Sequence, residues 1–485
     1  FATPIPIWEC KDCKKIVLAT EDSCYCDPTI DSPTVDKCPK CGGELIGSED
    51  VFDTWMDSSI SPLYNTFWER DEEKFKKLYP MSVRPQAHDI IRTWAFYTIL
   101  RCTLITDEKP FENMMMGGFI LSEDGTPMHS SLGNVIDPIK VIKENGADAF
   151  RCYAASCALG EDNPFRTKDV IRGVKLLRKI WNVQMFISNV ISNGKPKKVD
   201  LIDVDRWILT KYSKLVDKCT KQMDNYDYSQ TMKDIEYFLW HELADHYIEM
   251  VKSSIYDKKN LDSIRYTMYK IGLGMLKLFA PFFPHITEEL YHICYKKFES
   301  DKSIHLSNWP EEIFIDEEKE KEGEIIKNYI SEVRSWKSKQ GIPLNSEIKA
   351  VNTYSSKKIT KTLENNSEII KSTLKYPRDH NFIPGKPDIE ESISEIKPNF
   401  SVVGPKLKKD AKKFVEILNN NKKEIIEKIQ ENGDIKISDI SDSVIDSNEK
   451  LVENEFIKLD KKIIVKGKKD SKILSFEDFF IEIKE

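Results

Sequence analysis

"NMMMGGFILSEDGTPMHSSLGNVIDP", residues 113–138, decides how the surrounding chain is read. The apolar run up to Leu121 predicts a buried strand that turns at Asp124–Gly125. Small hydroxyl residues, a Gly–Asn pair and a helix start follow, the order found in loops that wrap phosphates. Yet no Lys or Arg stands between Asp124 and Asn134. Such a loop has only backbone N–H groups, hydroxyls and one imidazole to offer an anion.

Outward from that loop, residues 51–170 alternate short apolar runs with helical patterns, the βα texture of a layered α/β domain. "RTWAFYTILRCTLI", residues 92–105, is too apolar for a surface helix and is expected to pack against the sheet. Beyond about residue 170 the pattern turns helical. From Val204, apolar residues at Trp207, Ile208, Leu215, Val216, Cys219 and Met223 mostly share one stripe, with Asp203 or Asp205 placed to cap its start. Ser229 to Tyr256 and Arg265 to Phe279 carry two further amphipathic patterns. The prolines of "APFFPHITEEL" stop the latter and start a fourth helix. Short connections imply an antiparallel bundle. A helix from about Glu322 carries "ISEVRSWKSKQGIPLN". After it comes a Lys-, Glu- and Asn-rich tail with β-like pieces ("KIIVKG", "FFIEIKE"), read as a small α+β appendage.

The 485 residues are 40% apolar and 32% charged, enough for about three domains. No apolar run approaches the ~18 residues of a membrane span, so no membrane is expected. "FATPIPIWEC" has neither the basic flank nor the cleavage site of a signal peptide, and the missing initiator Met points to part of a longer protein. A net charge of -7 is neutral evidence on nucleic acid, because attraction acts through local basic patches. The eleven Cys favour reduced thiols and metal ligation over a disulfide framework.

Residues 1–50 are rich in Cys, Pro and Gly. Cys10-x2-Cys13 and Cys38-Pro-Lys-Cys41-Gly-Gly stand 24 residues apart. Two such knuckles place four thiolates around a tetrahedral Zn²⁺. A site saturated by thiolates has no open position, so its expected role is structural. Cys24 and Cys26, between the knuckles, are alternative ligands or free thiols.

Several segments taken in order carry a resemblance. "VFDTWMDSSISPLYNTFW" resembles the D-T-W-x-x-S segment of class I valyl-tRNA synthetases, and "RPQAHDIIRTWAFY" resembles their amino-acid pocket helix. "GGFILSEDGTPMHSSLGNVIDP" falls where that family carries its KMSKS-x-G-N loop. "DRWILTKYSKLV", "APFFPHITEELY", "IHLSNWP" and "VRSWKSKQGIPLN" then follow the order of its anticodon-binding domain. "IKPNFSVVGPKLKKDAKKF" continues it loosely, in the manner of archaeal-like members.

The resemblance implies an α/β plus all-α protein. Its parts are a zinc-knuckle segment (1–50), the second half of a Rossmann-like catalytic domain (51–170), a helical anticodon-binding domain (171–340) and a C-terminal α+β domain (341–485). It implies a cytoplasmic enzyme that activates valine with ATP and Mg²⁺ and transfers it to tRNA(Val). Trp55, Asp89, Ile90 and Trp94 would form the amino-acid pocket. His88, Gly118, Phe119, Ile120, Met128, His129, Ser130, Ser131, Gly133 and Asn134 would face ATP. Arg334, Trp336, Lys337 and Lys339 would meet tRNA.

The chain departs from the family in two places. Pro127-Met-His-Ser-Ser131 lacks both KMSKS lysines, and no H-I-G-H occurs anywhere in the 485 residues. In the family that tetrapeptide lies upstream, so a missing N-terminal catalytic half, in the same chain or a split partner, is an expected partner. The alternatives are an isoleucyl relative, whose G-S-D-Q-x-x-R-G-W segment "QAHDIIRTW" does not match, and a non-catalytic tRNA-binding fragment.

Overall fold

The computed structural model describes residues 2–439, 449–466 and 471–484. Phe1, Gly467 and Glu485, at the ends of segments quoted above, lie outside them. The chain divides into two compact units, each taken separately.

The first comprises Phe1–Trp181, Lys218–Glu236 and Phe279–Glu289. It opens with a three-stranded antiparallel sheet, Ile7–Cys10 running between Ile16–Leu18 and Leu45–Gly47. Two parallel pairs follow. Met81–Ala87 runs beside Phe111–Gly117, and Ile120–Leu121 beside Asn163–Pro164. Parallel partners cannot be joined by a tight turn, and here helices make both crossovers. Phe96–Thr106 serves the first pair; Pro138–Asn145 and Ala147–Ser156 serve the second. Ala149, Tyr153, Phe165 and Val170 form a small core over the second pair.

The Phe96–Thr106 helix corrects one expectation. Only Thr98 and Cys102 are buried on it, while Phe96, Ile99, Leu100, Leu104 and Ile105 are exposed. A two-stranded pair is too narrow to cover a helix that is apolar on most sides, whereas parallel sheets are ordinarily covered on both faces. The "APFFPHITEEL" segment behaves as its prolines predict, with Pro284–Cys294 a new helix. Its first turn is capped from outside: the Asp148 carboxylate accepts from the Ile286 N–H at 2.8 Å, and Arg151 donates to the Phe282 and Pro281 carbonyls.

The second unit comprises Asn182–Asp217, Tyr237–Leu278 and Leu290–Glu485. Its helices meet around the buried Trp207 indole, which donates to Glu324 at 3.0 Å. A Cβ at Gly323 would fall 2.1 Å from that ring, so only glycine allows the helices this close. Lys211 and Lys327 lie between Glu242 and Glu324, tying the same helices with a four-charge network. Burial opposes ionisation of Glu324, but Lys211, Lys327 and the indole N–H outweigh it and hold the carboxyl down to about 2.

Toward the C-terminus lies a four-stranded sheet in the order Ser471–Ser475, Phe479–Lys484, Ala350–Ser355, Asn381–Pro384. A second small core forms where Ile389–Pro398 pairs with Ile457–Val465 under the helices Ala411–Asn420 and Lys422–Asn432. The tail is therefore α+β in texture. Among the described residues, no helix is long and apolar enough to cross a membrane.

Asp205 does not cap the Asp203–Asp224 helix. It lies in the first turn, fully buried, and accepts from the Tyr247 hydroxyl at 2.6 Å and from the Ser263 hydroxyl. Burial pushes its carboxyl up to about 7, against the pull of the two hydroxyls. A carboxyl raised in the folded state binds its proton there while the unfolded chain has released it. Its contribution to stability is therefore full below about pH 3.9 and is lost as pH rises toward 7. Asp205→Asn is expected to flatten the pH dependence of unfolding between those limits, measured as the midpoint difference from wild type.

Candidate functional site

Local chemistry explains the cysteine cluster first. After the Ile7–Cys10 strand the chain turns through Lys14 at φ 59°, and Gly42 at φ 76° turns the second knuckle. A Cβ at Gly43 would meet the Asp12 carboxylate at 2.2 Å and the Cys10 sulfur at 3.0 Å, so the backbone passes close beside the thiols. The Sγ atoms of Cys10, Cys13, Cys38 and Cys41 all lie within 4.8 Å of one another. The Cys10–Cys41 and Cys13–Cys38 sulfurs are 3.4 and 3.6 Å apart. Four sulfurs ~2.3 Å from a tetrahedral Zn²⁺ would stand about 3.8 Å apart, so the donor set fits that ion. Burial opposes a Cys38 thiolate, but the N–H groups of Cys41 and Lys40 and the neighbouring thiols prevail and hold it at about 6. Cys24 and Cys26 stay outside the cluster as free thiols.

The 124–138 loop is braced from within. Asp124 Oδ1 accepts from Ser122 Oγ (2.6 Å), Thr126 Oγ1 (2.8 Å) and the Thr126 N–H (3.0 Å), which holds its carboxyl down to about 2. Asn134 closes the loop: its Oδ1 accepts from the His129 N–H, and its Nδ2 donates to the Pro127 carbonyl and to Thr126. The Asn134 amide is thus spent on the loop. His129 Nδ1 accepts from the Ser131 N–H and faces the Ser131 hydroxyl at 2.6 Å, so the ring proton sits on Nε2. Met128 turns inward onto the Tyr153–Phe165 core. His129, Ser130, Ser131 and Gly133 remain exposed. Asp137 then caps the Pro138–Asn145 helix through the Ile139 N–H.

Gly118 and Ile120, on either side of Phe119, line an apolar cavity of about 410 Å³, whose wall includes Met128, Phe150, Tyr153 and Cys157. The Tyr153 hydroxyl on that wall is buried with no hydrogen-bond partner. His88 stands beside Phe119, their rings edge to face at 4.8 Å.

The amino-acid set is partly gathered. His88–Ile90 is a 3₁₀ turn ending the Met81–Ala87 strand, and a π-helical turn, Ile91–Ala95, carries Trp94. Asp89 is exposed and Ile90 half-buried. Trp94 is buried with the Arg84 guanidinium 3.8 Å from its ring centroid, while Trp55 is exposed on Thr54–Ser58, which packs against the Trp94 turn.

Of the four residues expected to meet RNA, Lys337 is corrected. It is completely buried, its ammonium donating to the carbonyls of Leu344, Ser346 and Leu374. Trp336 is half-buried, Lys339 exposed, and Arg334 lies 3.5 Å from Glu249. Sequence reading missed Asp162, which accepts from both His88 and Phe119. A single Asp in "LGEDNPF" carries no signal that singles it out.

The family model described as tRNA synthetases class I (I, L, M and V) matches residues 1–166, and the anticodon-binding domain of tRNA ligase matches 205–352. A valine–tRNA ligase of Methanococcus maripaludis is 42% identical along 89% of this chain and 50% of its own length. Those of Pyrococcus horikoshii and Methanocaldococcus jannaschii are 39% and 40% identical along 89% of this chain, and 50% and 49% of their lengths. The chain spans about half the length of the curated relatives it matches. A solved LeuRS of Agrobacterium radiobacter K84, in a ternary complex with tRNA and LeuAMS, shares the fold at TM-score 0.51 and 20% identity, over 66% of this chain and 41% of that one. Two domains are thus matched in the order of the chain's own segments: residues 1–166 are similar to the class I tRNA synthetases of the I, L, M and V group, and residues 205–352 to the anticodon-binding domain of tRNA ligases.

Proposed function

We propose that the chain supplies the second catalytic half and the anticodon-binding region of a valine–tRNA ligase. The observation that carries this reading is the identity to valine–tRNA ligases along nearly the whole chain, with the lysine-poor loop and the pocket turn on one unit. In this scheme ATP activates valine and tRNA(Val) accepts it, and no side chain need form a covalent bond. Asp89 offers a carboxylate to the substrate ammonium, while Ile90, Trp55 and Trp94 bound a short aliphatic side chain. Such a wall discriminates one methylene by only ~1–3 kcal/mol. The Gly118–Ile120 rim and its apolar cavity give a purine a place to lie. ATP-bound Mg²⁺ would neutralise phosphate charge that the loop cannot. Zn²⁺ would be held by Cys10, Cys13, Cys38 and Cys41, where it supplies structure and no open coordination site.

The loop's part is the most constrained. Asn134 and Met128 brace it, leaving the Ser130 hydroxyl, the turn's N–H groups and His129 Nε2–H to approach phosphate oxygens. Two missing lysines remove preorganised charge of the kind that is worth a few kcal/mol in a transition state. Introducing lysine at Pro127 and Ser130 in the longer protein is expected to raise the rate of valine activation. No gain would point to compensating charge on the first half.

The exposed apolar face of Phe96–Thr106 is where that first half has most to cover. For tRNA, Arg334, Trp336 and Lys339 remain candidates, with the exposed Lys408, Lys409, Lys412 and Lys413 a second basic surface. Binding that weakens steeply with salt, and further on Lys339→Ala, supports RNA contact.

Valine-dependent ATP–pyrophosphate exchange by the longer protein tests the whole reading. Preference for isoleucine would make it an isoleucyl relative. Salt-sensitive tRNA binding without any exchange would leave a non-catalytic binding protein, a reading that the lysine-free loop favours.

A further inference from the structure

We propose that Asp162 is a positioning residue that clasps the amino-acid side of the site to the nucleotide side, through hydrogen bonds from His88 and from the Phe119 backbone. This rests on the functional reading above. One carboxylate oxygen, Oδ1, accepts from the Phe119 N–H at 2.7 Å and from His88 Nε2 at 3.0 Å. The Phe119 N–H, helped by His88, holds the carboxyl below the usual aspartate range. An ionised carboxylate can only accept, so His88 must carry its proton on Nε2.

The neighbouring contacts make this more than one exposed ion pair. The Phe119 carbonyl accepts from the Asn163 N–H at 2.8 Å, and the Gly160 N–H donates to the Met116 carbonyl at 2.9 Å. Both hydrogen-bonding groups of Phe119 are therefore taken by residues 162 and 163. Gly118 is pressed so closely on this turn that a Cβ there would fall 2.1 Å from the Glu161 carbonyl oxygen. His88 closes the triangle, since its ring also packs edge-on against Phe119. His88 begins the turn that carries Asp89 and Ile90, whereas Phe119 lies between Gly118 and Ile120, which line the cavity. Asp162 thus fixes how far the two substrate-facing segments stand from each other.

Adenylate formation joins two substrates, so this separation matters to the reaction itself. A shift of about 1 Å between reacting groups can cost on the order of 100-fold in rate. Asp162→Ala removes the acceptor that Phe119 and His88 share. Asp162→Asn keeps a carbonyl oxygen for Phe119 and His88 but loses the charge. In the longer protein, Asp162→Ala is expected to lower kcat of ATP–pyrophosphate exchange by about 10- to 100-fold. The change in the KM for valine should be much smaller, and Asp162→Asn should recover most of the loss.

Amide hydrogen exchange on the 485-residue chain supplies a readout independent of activity. The Phe119 N–H is expected to exchange at least about tenfold faster in Asp162→Ala and near the wild-type rate in Asp162→Asn. Wild-type exchange at Phe119 in the alanine variant would overturn the clasp. So would unaltered kcat in an otherwise active enzyme. An inactive wild-type longer protein would instead sink the ligase reading, while the Phe119 amide would still report on the clasp.

Discussion

Removing metal from the Cys10, Cys13, Cys38, Cys41 cluster is expected to unfold the knuckle segment, releasing one Zn²⁺ per chain as four thiols become reactive. The sheet from Ile7 to Gly47 is small, with one fully buried large side chain, Trp8. Its two turns depend on positive-φ positions and on a glycine pressed against Asp12 and the Cys10 sulfur. Little apolar area is available to offset the entropy of ordering such a segment. Metal binding at four-thiolate sites contributes on the order of 10–16 kcal/mol at neutral pH, far more than this core can. Cys38→Ser should lose the metal, since it removes one of the four thiolates that saturate the site. Elemental analysis and thiol titration before and after chelation measure both effects. A metal content well below one per chain in freshly purified protein would remove the zinc assignment.

Lys337→Met is expected to destabilise the helical unit by about 1–3 kcal/mol, the cost of leaving buried carbonyls without a donor. The ammonium ties the end of the Glu317–Lys339 helix to the 344–346 loop and to the last carbonyl of Ser367–Leu374. Methionine fills similar volume but leaves three carbonyls without their donor. Denaturant unfolding followed in the helical region measures the loss, and a change under about 1 kcal/mol would sink this account.

Burial lowers the Lys337 pKa to about 8, with Arg334 and Lys375 adding to the shift. Below pH 8 both folded and unfolded chains carry the proton, and the full cost of burying the charge is felt. Between about 8 and the ordinary lysine value near 10.4, only the unfolded chain holds it, so this group's contribution to stability rises with pH. The opposite slope is expected at Asp205, in a lower pH window. Weaker tRNA binding by Lys337→Ala would thus report unfolding as readily as a lost phosphate contact, so Lys339 is the better probe.

Several features were legible from spacing alone. Two CxxC knuckles brought four sulfurs within reach of one ion, because each pair is held by a local turn. The stripe from Trp207 to Met223 became the Asp203–Asp224 helix, and the prolines of "APFFPHITEEL" ended one helix and began another. The turn at Asp124–Gly125 and a helix after the Gly–Asn pair also appeared in order, but the single buried strand divided at Gly118–Phe119 into Phe111–Gly117 and Ile120–Leu121, both largely unburied. Strands, turns and caps follow from residues within a few positions of each other, where period and chirality are set by the backbone itself.

Tertiary structure decided what those elements do with their polar groups. Lys337 sits in a basic run that reads as surface, yet three carbonyls from a loop and a second helix enclose it. Asp205 reads as a cap but is buried by Tyr247 and Ser263, 42 and 58 residues away. Asp162 acquires its part from His88 and Phe119, 74 and 43 positions distant. Helical period and turn chemistry set which neighbours along the chain share a face. Which distant group meets a given side chain depends on how crossovers close and helices pack, and that is settled only when the whole unit buries its apolar area.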